Sequence, residues 1–186
     1  MVEEALAETR LRGVEKVSLR GIAQALGVSP SAAYNHFADK QALLLAVCVR
    51  GLDELDRRMS AALATHPEPT ADAARLRFEA LGRAYLLFAM EEPHLFRLTF
   101  GPLHATSGDE PNESAPYKKL LDSLIELRRQ GLLISADVPV IAEIVWAATH
   151  GMAFLLLDGV FPAEAIERHI HSLTELLVRS TPQRRI

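Results

Sequence analysis

Between residues 18 and 40 the chain gathers side chains suited to reading a nucleic-acid surface. Ser31, Tyr34 and Asn35 stand at i, i+3 and i+4, a spacing that places them on one face of a helix. The Asn35 amide can pair with the edge of an adenine, and Tyr34 can pack on a thymine methyl or reach a phosphate. Arg20 offers a guanidinium fork to a guanine or to backbone oxygens. Ser18 can donate to a phosphate. Lys40 opens a helix, where backbone N–H groups and the positive dipole end already favour a phosphate.

The elements that must carry these residues are legible around them. Ile22, Ala23 and Leu26 give a first short helix one apolar face. Gly27 can adopt the left-handed conformation that ends it, and Val28 reads as an apolar plug in the turn. Ser29 is suited to the N-cap and Pro30 to the first helical position of a second helix, about 30–37. Ala33 and Phe37 face inward there, which leaves Ser31, Tyr34 and Asn35 outward. An apolar back with a polar, aromatic front is the division of labour of a helix-turn-helix, whose second helix enters the major groove.

Ser18-Leu-Arg20, Ile22-Ala23, Leu26-Gly27-Val28-Ser29, Tyr34, His36-Phe37 and Asp39-Lys40 together resemble the DNA-binding domain of the tetracycline-repressor (TetR) family over about residues 2–55. The resemblance implies DNA contacts at Arg20, Pro30, Ser31, Tyr34, Asn35, His36 and Lys40. Two departures stand out. Ala33 occupies a position where relatives often carry a larger apolar residue, and so does Thr9. No basic arm precedes residue 2, and the recognition helix holds neither Arg nor Gln, so operator shape is expected to share in recognition.

Composition bounds the remaining possibilities. The 186 residues are 49% hydrophobic and 24% charged, ordinary values for a globular protein. Net charge is −4, but residues 1–50 carry +1 and the rest −5, so long-range attraction to DNA should be weak. A lone cysteine, Cys48, makes no intramolecular disulfide and suits a reducing cytosol. The polar start, MVEEALAETR, does not read as a secretory leader. Residues 140–157 are long and apolar, yet they contain Glu143, Thr149, His150 and Gly151. A buried interface helix is expected there rather than a membrane span, and the protein is expected to be cytoplasmic.

The whole chain reads as all-α, about nine helices. Residues 1–45 form the expected three-helix helix-turn-helix domain. Residues 46–186 form a larger helical domain for ligand binding and dimerisation, and a long helix over about 39–64 bridges the two. Further helices are expected near 70–90, 93–100, 116–130, 139–157 and 162–179, with a mobile loop over 101–116. The runs around Trp146…His150-Gly151 and Glu92-Pro93-His94…Gly101 are similar to a TetR subgroup's regulatory domain.

The resemblance implies that this second domain dimerises and takes a small-molecule effector. Phe78, Tyr85, Phe88, Phe96 and Phe100 could line an effector pocket, with His94 and His150 as polar anchors, although an ordinary core or structural role suits each of them better. Trp146, Gly151, Phe154, Ile166, Ile170, Leu173 and Leu177 are the expected dimer-interface residues. No nucleophile motif, phosphate-cradling loop or dinucleotide fingerprint occurs. His169 and His171 point to different sides of a helix, and Cys48 has no ligand-spaced partner, so neither catalysis nor a metal or cofactor is expected. The reading is a homodimeric DNA-binding transcriptional regulator, a repressor released from a palindromic operator by an effector. The alternative is a ligand-binding or protein-interaction module without DNA binding.

Overall fold

The chain folds as helices α1 (Val2–Arg12), α2 (Leu19–Ala25), α3 (Pro30–His36), α4 (Lys40–Leu63), α5 (Ala71–Glu91), α6 (Pro93–Thr99), α7 (Pro102–Ala105), α8 (Ala115–Arg129), α9 (Val138–Leu157) and α10 (Ala165–Leu177). The computed structural model describes residues 1–105, 114–134 and 137–179. The fold is all-α. Among the described residues one more helical segment occurs than the sequence led us to expect: α7, a single turn inside the expected loop over 101–116. Residues 106–113 of that loop lie outside the described residues.

Local chemistry explains the helix limits. Ser18, Ser29, Ser114 and Asp137 each accept a backbone N–H at the start of α2, α3, α8 and α9. Pro30, Pro93, Pro116 and Pro139 sit in first turns, where a missing N–H costs nothing. Asp39 Oδ1 accepts the Ala42 N–H at 2.8 Å and opens α4.

Packing divides the described residues into two compact units. The first holds α1 to α3, α4 as far as Glu54, and α6 with α7. Here α1 packs on α6 and α2 on α3. Val17, Ile22, Ala23, Leu43, Val47, Leu95 and Phe96 are almost wholly buried in it. Thr9 is fully buried too, but its hydroxyl donates to the Ala5 carbonyl at 2.7 Å, one turn back. A polar residue is thereby satisfied where an apolar one is common. Cys48 is core as well. Its thiol donates to the Leu98 carbonyl at 3.5 Å, and burial pushes its pKa up to about 11, which keeps it unreactive.

The second unit holds α4 from Leu55, α5 to Met90, and α8 to α10. Arg77 staples it: the guanidinium donates to the carbonyls of His66 and Glu68 and pairs with Glu126 of α8. A short antiparallel bridge, Leu133 with Val178, fastens the segment after α8 to the end of α10. Among the described residues one helix, α9, is long and apolar enough to cross a membrane by length and composition. Its faces alternate between buried (Ile141, Val145, Leu156) and exposed (Glu143, Ala147, Gly151), as in a helix that packs on one side.

Candidate functional site

The recognition elements are built by capping. Ser18 Oγ accepts the Gly21 N–H at 3.1 Å and starts α2. Its own hydrogen remains a donor. At the other end Gly27 adopts φ 67°. Its N–H reaches Gln24 O at 3.1 Å, and the next, from Val28, reaches Ala23 O at 3.0 Å. That pair of bonds is the Schellman stop, which requires a left-handed residue at Gly27. Ser29 Oγ then accepts the Ala32 N–H at 3.2 Å and starts α3.

Between these stops α3 has one inward side chain, Ala33, with no exposed surface. Ser31, Tyr34, Asn35 and His36 are exposed, Tyr34 by 51%. Ser18, Arg20 and Pro30 are exposed as well, and Lys40 is half-buried at the first position of α4. All eight expected contact residues thus keep surface free for a partner, and they come from α2, the turn, α3 and the start of α4.

Two expectations about this region need correction. Leu26 and Val28 are each 43% exposed. Neither is a core residue: Leu26 is already the C-cap of α2, and Val28 follows the left-handed Gly27 in the turn. Behind the surface, α6 braces α1. Arg10 Nε bonds Glu92 Oε2 at 3.0 Å, and a side chain at Gly51 would collide with the Thr99 hydroxyl, so α4 and α6 are in close contact.

The second unit contains a small apolar cavity of about 30 Å³. From α5 come Phe78, Leu81, Gly82 and Tyr85. Leu120, Val145, Trp146 and Thr149 come from α8 and α9. The remaining wall is Met59 of α4 and Ile170, Leu173 and Thr174 of α10. Such a volume suits a water molecule or two. Trp146 anchors an aromatic cluster: its ring meets Tyr85 edge-on at 5.3 Å and Tyr117 at 5.5 Å, and stacks with His150 at 6.3 Å. The Tyr85 hydroxyl and His150 Nδ1 are hydrogen-bonded at 2.6 Å. Burial raises the Tyr85 pKa well above its ordinary value and lowers that of His150, so both are neutral at pH 7.

The expected pocket residues separate on this geometry. Phe78 and Tyr85 line the cavity, and His150 stands behind Tyr85. Phe88 is fully buried elsewhere in the unit, with the Arg58 guanidinium 5.3 Å over its ring. His94, Phe96 and Phe100 belong to the first unit, where the Phe96 and Phe100 rings meet at 4.8 Å. The expected interface residues separate too. Ile166 and Ile170 are 5% and 4% exposed, and Trp146, Ile170 and Leu173 face the cavity. A side chain covered inside its own chain has no surface for a second copy. Phe154 and Leu177 are half-buried. The outward stripe is instead Val140, Ile144, Ala147, Gly151 and Leu155, at helical spacing on α9. Sequence reasoning missed Met59, Leu81, Gly82, Leu120, Val145, Thr149 and Thr174 as cavity residues, and it placed Trp146, Ile170 and Leu173 at the dimer interface. Thr149 lies inside the Trp146…Gly151 run, a signal that could have found it.

Residues 2–47 match the family model of bacterial regulatory proteins of the tetR family. Residues 78–180 match that of the tetracyclin repressor-like C-terminal domain. The chain belongs to the TetR family. Among solved structures, a TetR-family chain similar to this one is a transcriptional regulator from Pectobacterium atrosepticum, at 24% identity and a TM-score of 0.72, over 94% of this chain and 89% of that one. A TetR-family transcriptional regulator from Thermus thermophilus gives 24% identity and a TM-score of 0.60, over 92% and 95%. A protein of unknown function from a Rhodococcus species gives 26% identity and a TM-score of 0.72, over 94% and 90%. Among curated proteins no match was found. As a TetR-family chain the protein carries the family's DNA-binding helix-turn-helix on α2 and α3, and its kinship is with transcription factors rather than enzymes.

Proposed function

We infer that the protein is a cytoplasmic homodimeric repressor, released from a palindromic operator by a small molecule held in the cavity of its second unit. Residues 1–45 bind DNA, and residues 46–186 bind the effector and the second copy. The observation that carries the DNA half is the exposed set Arg20, Ser31, Tyr34 and Asn35 on capped helices. Tyr34 and Asn35 read base edges, while Ser18, Arg20, His36 and Lys40 hold phosphates and fix the register, with Pro30 setting the start of α3.

The outward stripe of α9 supports dimerisation. Val140, Ile144 and Leu155 are 47%, 54% and 40% exposed, and Ala147 and Gly151 between them let another helix approach closely. A twofold pair sets two recognition helices about 34 Å apart, on successive major grooves. Effector binding that favours the non-binding spacing by about 1–3 kcal/mol is enough to release the operator.

Fluorescence-anisotropy titration of DNA immediately upstream of the protein's own gene tests this reading. Scrambled duplex and an Arg20→Ala/Tyr34→Ala double variant serve as controls. The expected result is saturable binding by wild type only, two protomers per site, weakening steeply with salt. Equal binding to scrambled DNA, followed by an empty genome-wide DNA selection, would overturn it.

A further inference from the structure

The cavity of the second unit differs from a filled core in its chemistry and in how it is closed. Among the described residues no Asp, Glu, Lys or Arg contributes to its wall. The arginines of α5, the helix that supplies the largest share of that wall, are committed to carboxylates: Arg83 holds Glu167 through two bonds of 2.6 and 2.7 Å, Arg75 holds Glu79 and Glu175, and Arg77 holds Glu126. An ion entering here would give up its hydration without meeting an opposite charge. The polar contribution is neutral: the Tyr85 hydroxyl, bonded to His150, and the Thr149 and Thr174 side chains.

Two of the wall residues meet at one close seam between α5 and α10. A Cβ placed on Gly82 of α5 would stand 2.7 Å from Ile170 Cδ1 of α10. Glycine therefore lets the tip of Ile170 settle against the α5 backbone, and both residues belong to the cavity wall. With Ile170 seated the space is about 30 Å³. The atom at that seam is the far end of a side chain, which a rotamer change can displace without a backbone shift.

We propose that this cavity takes an uncharged, compact molecule with an aromatic or alicyclic body, and that the molecule enters by parting Ile170 from Gly82. The assignment rests on reading the cavity as the effector site. Phe78, Tyr85 and Trp146 offer ring edges and faces to the body of the ligand, and the Tyr85 hydroxyl offers it one polar neighbour.

Trp146 is the chain's single tryptophan and part of the wall, so emission comes from one site, at the cavity. The full-length protein is titrated at neutral pH with 3-phenylpropan-1-ol, 3-phenylpropanoate and 3-phenylpropylammonium, which share a body and differ in charge. The alcohol is expected to shift Trp146 emission saturably, with both ions about tenfold weaker or worse. Ile170→Val deletes the Cδ1 that meets Gly82 and is expected to tighten the alcohol about threefold. Leu173→Phe crowds the half-buried rim and is expected to weaken it about tenfold, with circular dichroism confirming a folded chain.

Either ion binding as tightly as the alcohol would overturn the charge assignment. No shift with the alcohol in both wild type and Ile170→Val would overturn the site. Operator anisotropy with the alcohol present separates this proposal from the reading beneath it. Saturated Trp146 with unchanged DNA affinity would remove the effector role and leave the ligand class standing.

Discussion

The DNA-facing surface and the cavity are made by opposite strategies. On α2 and α3 every proposed contact residue is exposed on helices a few residues long. Their positions are fixed locally by Ser18, Gly27 and Ser29, each acting within three or four residues of itself. The cavity has no such local origin. Its wall is contributed by α4, α5, α8, α9 and α10, and each wall residue is also part of the packing that holds the unit together. Binding and stability are therefore separable at the first site and fused at the second. A surface reader can change its letters without changing its fold, whereas a cavity binder changes its fold a little whenever it changes its ligand.

Trp146→Ala provides the largest test of that contrast. It removes the ring that meets Tyr85, Tyr117 and His150, and should cost about 3 kcal/mol of stability in chemical denaturation. An unchanged midpoint would mean that the cavity is independent of the unit's packing. Tyr34→Ala should do the reverse. Operator affinity should fall by about 1–3 kcal/mol, with folding stability changed by less than about 0.5 kcal/mol. A clear drop in melting temperature would erase the distinction at its strongest point.

Ser29→Ala lies between the two. Loss of the Ala32 N–H acceptor should cost about 1 kcal/mol of stability and weaken DNA binding with it, because the start of α3 frays. The smallest effect is titration of the cavity cluster. Burial lowers the folded-state pKa of His150, so above its ordinary value of about 6.5 the ring is neutral in both states and folding is unaffected. As pH falls below that value the unfolded chain binds the proton first, and stability declines down to the folded-state pKa. Thermal midpoints measured from neutral toward acid should fall less steeply in His150→Gln than in wild type. Parallel slopes would show that the lowered pKa does not contribute.

What could be read from the sequence follows the same line. The recognition segment was legible because caps, turn glycine and exposed face are encoded within contiguous residues. The starts of α3, α6 and α9 follow from Pro30, Pro93 and Pro139 for the same reason. Leu26 and Val28 were misplaced because apolar character alone does not say whether a turn faces the core. Ile166 and Ile170 show a second limit. A 3.6-residue stripe marks the buried face of α10, yet burial against its own unit and burial against a second copy leave the same pattern. The separation of His94, Phe96 and Phe100 from Phe78 and Tyr85 shows a third. Neighbouring helices in sequence, α5 and α6, pack in different units, and that choice is made by long-range contacts with α1 which no periodicity records.

That last feature bears on how such proteins are recombined. The DNA-binding unit is discontinuous: the chain builds α1 to α3, leaves through α4, and returns with α6 to complete it. A graft that takes residues 1–45 from one relative and the remainder from another splits a covered face. It pairs one parent's α1 with the other parent's α6, and breaks the match between Arg10 and Glu92. Transplanting operator preference between family members therefore calls for two inserts, the N-terminal helices together with α6. Hybrids made at a single junction should be sorted by whether the two parents happen to agree across that contact.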